Sequence, residues 1–165
     1  MKAAAELLPV RTEGVPAEMK CRRQWVGWRL EDRDGKQAKV PYSPHGGRAS
    51  STDLMTWGTF EEALAVLDRF DGIGFVFCSA DPYTGVDLDG CRDPETGEIA
   101  PWAAEIVSAL DSYTELSPSG TGVHIICKAK APRGGRRGRI EMYSRDRFFT
   151  VTGHVVTALG GVERQ

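Results

Sequence analysis

"GIGFVFCSADPYTGVDLDG", residues 72–90, decides how the chain is read. The apolar run 72–79 has the composition of a buried strand, "ADPYTG" turns the chain, and "VDLDG" returns as a second strand. That return strand ends on Asp87 and Asp89, two residues apart and framed by Gly85 and Gly90. Strand side chains at i and i+2 share a face, so two like charges stand within a few ångströms of each other. The pair is unfavourable unless a proton is shared, water screens it, or a cation sits between the carboxylates. Hard oxygen ligands of this kind suit Mg²⁺ or Mn²⁺. A calcium-binding loop has the same first spacing, Asp87, Asp89 and Glu98 at positions 1, 3 and 12. It is excluded here because Cys91 and Arg92 occupy positions 5 and 6, the latter needing glycine.

Upstream of this stretch, 24–30 and 36–42 read as a hairpin turned by "DRDG", with Pro41 marking an edge or strand end. A polar, glycine-rich loop follows. "TFEEALAVLDRF" (59–70) then has Thr59 as N-cap and Glu62 three residues on, a capping box opening a helix. Downstream, Pro101 begins a second helix through 102–113, "TELS" is a short strand, and 123–129 is another. "PRGGRRG" reads as a flexible basic loop, and 139–144 with 147–154 as a closing hairpin around "RD". Residues 1–18 read as a loose leader or one short helix, 19–156 as a single domain, and 157–165 as a tail. Strands outnumber helices, so the expected class is α+β: one mixed, mostly antiparallel sheet flanked by helices.

The 165 residues suffice for one ordinary domain, with 41% hydrophobic and 27% charged residues excluding wholesale disorder. The net charge of −2 gives no reason by itself to expect a polyanionic partner. Its distribution does. Residues 128–147 hold eight basic side chains against two acidic ones, a local +6 that reads either as a solvated loop or as phosphate contact. The four cysteines form no CxxC or CxxH pair, which argues against zinc. No stretch reaches the ~18 apolar residues of a membrane span, and the N-terminus is no convincing signal peptide. A cytoplasmic protein with reduced thiols and no membrane partner is expected.

Two further segments carry chemistry. In "SPSGTGVHI" (117–125), Gly120 and Gly122 let backbone N–H groups approach an anion, and Ser117 and Ser119 add hydroxyls. A lone strand histidine is ordinarily a hydrogen-bonded core residue. Directly after a glycine and serine turn, His124 reads better as a phosphate donor. In "RIEMYSRDRFFTVTGH" (139–154), Glu141 is either an exposed, salt-bridged acid or a third carboxylate facing a metal. Trp25, Trp28 and Trp57 could stack on bases, but core packing suits each of them better.

Taken in order, the DxD strand, "SPSGTGVHI", then "IEMY" and "RFFTVTG" resemble the archaeo-eukaryotic primase superfamily. The closest resemblance is to primase–polymerase domains of phages and mobile elements, which also share stretches such as "QWVGWRL", "KVPYSP" and "TDLMTWGTFEEAL". It runs from about Gln24 to about Thr152. The resemblance implies metal-dependent, template-directed nucleotidyl transfer on DNA in replication. Asp87, Asp89 and Glu141 would be catalytic and would hold Mg²⁺ or Mn²⁺. His124, with Ser117, Ser119 and Gly120, would contact the incoming nucleoside triphosphate, and Lys39, Arg145 and Arg147 phosphate or template. Implied partners are DNA template and primer, nucleoside triphosphates and a replicative helicase. Such domains usually continue into a helical module, so this chain is a compact core, a fragment of a larger protein, or a non-catalytic nucleic-acid-binding remnant. A sugar transferase using the same DxD leaves the 139–154 segment unexplained.

Overall fold

The structure, a computed structural model, describes residues 6–156. The tail at 157–165 and the first five residues of the leader lie outside the described residues.

Among the described residues, nine strands form two sheets. The first joins β1 (Trp25–Arg33), β2 (Lys36–Tyr42), β3 (Gly72–Phe77) and β9 (Arg147–Val151) in the order β2-β1-β3-β9. The second joins β4 (Thr84–Leu88), β5 (Tyr113–Leu116), β6 (Val123–Cys127), β7 (Gly135–Arg137) and β8 (Ile140–Tyr143) in the order β5-β6-β4-β8-β7. All of these ladders are antiparallel. The α+β class and the antiparallel character stand, with the single expected sheet divided in two. The quoted stretch makes the division: β3 is central in one sheet and β4 in the other.

Burial follows from these positions. Every residue of β3 is buried, because β1 and β9 flank it and both faces are covered. In β4, Val86 and Leu88 face helix α3 (Pro101–Leu110), packing with Val123, Ile125, Ala103 and Val107. Asp87 must then point to the opposite face. Asp81, in the turn between β3 and β4, is buried. Its carboxylate accepts from Gln24, from the backbone N–H groups of Cys78 and Tyr83, and from the Lys130 ammonium.

Three local expectations change. Residues 139–154 do not close as a hairpin: β8 pairs with β4 and β9 with β3, and the chain crosses between sheets at Ser144–Asp146. Phe149 and Val151 join the aromatic core of the first sheet, which pairing with β8 would have prevented. The basic loop contains an exposed edge strand, β7. The helix expected over 59–70 is only α2 (Phe60–Ala65), followed by a separate 3-10 turn at Leu67–Arg69. Its capping box is present in both directions. Thr59→Ala should therefore cost about 1 kcal/mol in urea denaturation.

Of the segment 1–18 expected as a loose leader or one short helix, residues 6–18 lie against the fold, and a short helix, α1 (Ala17–Lys20), straddles its end. Leu8 N–H donates to Pro118 O and Arg11 N–H to Thr152 O, each at 2.8 Å. Val15 and Met19 enter the core. Among the described residues no helix is long and apolar enough to cross a membrane.

Candidate active site

Register builds the site. Across the second sheet Glu115 opposes His124, His124 opposes Asp87, Asp87 opposes Glu141, and Glu141 opposes Arg136. Directly opposed residues of an antiparallel pair share a face. Five side chains from five strands therefore form one charged row, on the face away from α3. Its middle three, His124, Asp87 and Glu141, face a cleft of about 210 Å³ whose other wall comes from the first sheet.

Of the residues expected from sequence, Lys39, Asp87, His124, Glu141 and Arg147 line this cleft. Sequence reasoning missed Tyr143, Phe148, Phe149 and Thr150 as lining residues. The Arg147 guanidinium lies over the Tyr143 ring at 4.7 Å, a cation–π contact that aims a cation at the cleft. Asp89 is exposed one residue beyond β4, with its backbone N–H on Arg139 O at 2.9 Å. By strand alternation it follows Asp87 on the same face, at the end of the row.

His124 is packed as a core residue and also borders the cleft. It is 4% exposed, and its Nδ1 lies 3.0 Å from Thr150 O. A carbonyl only accepts, so Nδ1 carries the proton and satisfies the core. The other nitrogen, Nε2, lies 3.6 Å from Asp87 Oδ1 beside the cleft. Behind the ring stands Glu115, 0% exposed, with Oε2 3.6 Å from Nδ1. Nothing in "TELS" signals it, since a single acid in a short strand has no pattern.

The turn at 117–122 behaves differently from expectation. Ser117 is buried and its Oγ accepts from Gly122 N–H at 3.0 Å; Ser119 shares a hydrogen bond with Thr121 at 2.7 Å. Gly120 has φ +77°, and its carbonyl accepts from Arg92. These groups shape the turn and do not line the cleft. The turn nevertheless abuts the Asp87–Asp89 strand end: a Cβ on Gly122 would stand 2.7 Å from Leu88 O and 3.6 Å from Asp89 Cα. Arg145 is exposed on the crossover and likewise outside the cleft. Trp25, Trp28 and Trp57 are buried, with their indole N–H groups on Met19, Ile73 and Ser50 carbonyls, as core packing requires.

Electrostatics tie the three acids together. Lys39 is held below the ordinary lysine range by desolvation, against the opposing charges of Asp87, Asp89 and Glu141. Glu141 is half-buried, with Arg136 Nη1 3.3 Å from its Oε1. Among the described residues no three acidic, histidine or cysteine side chains are drawn together as a ready cage for a metal. As a donor set, the three acids suit a hard cation: all ligands are oxygen, and Asp87 and Glu141 are in register on one open cleft.

The chain is 37% identical over 142 residues to a DNA primase-polymerase of Nitratiruptor phage NrS-1. The chain is a relative of that phage DNA primase-polymerase. The match covers 80% of the chain and 19% of the relative, so the chain spans about a fifth of that protein's length. No family model matches. The similarity agrees with the resemblance drawn from the DxD, histidine and single-acid segments.

Proposed function

We propose that the chain carries out metal-dependent, template-directed nucleotidyl transfer, the chemistry of a DNA primase–polymerase, in replication of a phage or mobile element. The observation that carries this reading is the register itself. Three segments far apart in sequence put Asp87, Glu141 and His124 side by side on one cleft. The phage relative supports the same reading.

The residues divide the work as follows. Asp87, Asp89 and Glu141 would hold one or two Mg²⁺ or Mn²⁺ ions. Bound there, such ions lower the pKa of the attacking hydroxyl and neutralise charge on the leaving pyrophosphate. His124, with Nδ1–H on Thr150 O, donates from Nε2 to a triphosphate oxygen as the doubly protonated ring, and Lys39 and Arg147 add positive charge around it. Arg136, Arg137 and Arg139, on and beside the exposed edge β7, contact template backbone. DNA template, primer and nucleoside triphosphates are the partners, with a replicative helicase beside them. A replication role puts the chain in the cytoplasm, where its four free cysteines stay reduced.

A second reading, a non-catalytic nucleic-acid-binding remnant, is favoured by one observation: Glu141 leans to Arg136. Incorporation of labelled nucleotide on a primed template, with Mg²⁺ or Mn²⁺ and with a chelator, separates the two. The enzyme incorporates only with the cation. The remnant binds DNA in either condition and incorporates nothing. On either reading, the combined Arg136→Ala, Arg137→Ala and Arg139→Ala variant should bind single-stranded template more weakly. The slope of log affinity against log salt should then fall by roughly two, at about 0.7 per lost phosphate contact.

A further inference from the structure

We propose that Glu115 is the positioning residue for His124: a buried carboxylate that holds the imidazole with Nδ1–H turned inward and Nε2 turned to the cleft. Its effect on nucleotide rests on the nucleotidyl-transfer reading; its effect on the ring does not.

Glu115 is one of two fully enclosed carboxylates whose surroundings can be compared. It accepts from Thr152 N–H at 2.8 Å, Gly153 N–H at 3.2 Å and Tyr113 Oη–H at 2.7 Å. Burial and the adjacent Glu115 charge both push the Tyr113 phenol well above its ordinary range, so it stays protonated and donating. Every neighbour within reach is a donor. A carboxylate, which only accepts, fits that environment; an amide would turn its own N–H₂ against one of them. The Thr152 hydroxyl is the fourth donor, at 3.4 Å, and the ring stands beside the carboxylate: His124 Nδ1–H bonds Thr150 O at 3.0 Å with Glu115 Oε2 3.6 Å away, a charge contact longer than a hydrogen bond. Flipping the ring would turn a C–H toward both acceptors and take Nε2 away from Asp87 Oδ1. The N–H groups that fix Glu115 belong to the residues just after β9, and Thr150 belongs to β9 itself. One carboxylate thus sets the ring relative to both sheets.

Asp81 supplies the control. It is equally enclosed and has four donors of its own, one of them the Lys130 ammonium, but it lies between β3 and β4 and does not line the cleft. A carboxylate that only braces the fold behaves like Asp81.

The experiment compares Glu115→Gln with Asp81→Asn in the full chain. Both variants should unfold at lower denaturant. Glu115→Gln should raise KM for the incoming nucleotide about tenfold with kcat nearly kept, the pattern of lost uniform binding, and Asp81→Asn should leave KM unchanged. Nitrogen-15 imidazole spectra should show Nδ1–H in wild type and in Glu115→Gln alike, because Thr150 O remains, with the Nδ1 resonance shifted in Glu115→Gln and unmoved in Asp81→Asn. An unmoved Nδ1 resonance or an unchanged KM in folded Glu115→Gln overturns the proposal. If that variant does not fold, Tyr113→Phe removes one anchor and keeps the charge. It should raise KM about twofold to threefold, and an unchanged KM there also overturns the proposal. A wild-type chain that incorporates no nucleotide defeats the functional reading, and the spectral comparison still decides the role of Glu115.

Discussion

Replacing Asp87 and Asp89 together with alanine should reduce nucleotide incorporation by roughly a thousandfold or more while the chain still folds. The fold survives because neither carboxylate holds an element in place: among the described residues, the nearest charged partner of Asp87 is His124 at 3.6 Å. Asp89 secures the strand end through its backbone N–H, which alanine keeps. Removing two like charges beside Glu141 also relieves repulsion, so the denaturation midpoint should hold or rise slightly. Activity falls because Asp87 is the residue paired with Glu141 and Asp89 follows it on the same face, and alanine removes both sets of oxygen ligands. Primer extension with the double variant, alongside its melting curve, makes the measurement. Undiminished incorporation by a folded double variant would remove the aspartates from the chemistry. Salt-sensitive DNA binding that survives the change, in a chain inactive from the outset, would leave the binding remnant.

The second large effect is on stability and comes from the glycine that ends "RFFTVTG". Gly153 has φ +72°, and a Cβ there would stand 1.9 Å from Arg11 O. The contact is backbone against backbone, so no side-chain rotation relieves it. The 6–15 segment would have to lift away, breaking the Arg11–Thr152 hydrogen bond and shifting the Thr152 and Gly153 N–H groups from Glu115. Gly153→Ala should therefore cost about 3 kcal/mol or more in urea denaturation, combining the strain of positive φ with a backbone clash. A loss under about 1 kcal/mol would mean that this segment contributes little to the fold.

How legible the site was depended on what kind of information each residue carried. Asp87 and Asp89 could be read because alternation alone puts them on one face. His124 could be read because the turn before it is a local signal. Glu141 could not be decided: periodicity gives the face of a strand but not its neighbour, and only pairing with β4 sets Glu141 opposite Asp87. The same limit produced the expected hairpin at 139–154. Two alternating segments around "RD" fit a hairpin locally, but the aromatic core took β9 to β3 and left β8 with β4. Ser117 and Ser119 lie outside the cleft for the opposite reason, since short-range hydrogen bonds within the turn engage their hydroxyls. Glu115 was invisible because its partners arrive from residues 152 and 153, more than thirty-five positions on.

The proposed function requires that Asp87 and Asp89, at the end of β4, and Glu141, on β8, close around a divalent cation when nucleotide is present. Crystals of the chain grown with Mn²⁺ and a non-hydrolysable nucleoside triphosphate test it through anomalous scattering. The account predicts a manganese peak among the Asp87, Asp89 and Glu141 carboxylates, with Glu141 released from Arg136 and the triphosphate against His124 Nε2. An ordered triphosphate in the cleft with no manganese at those carboxylates would contradict it.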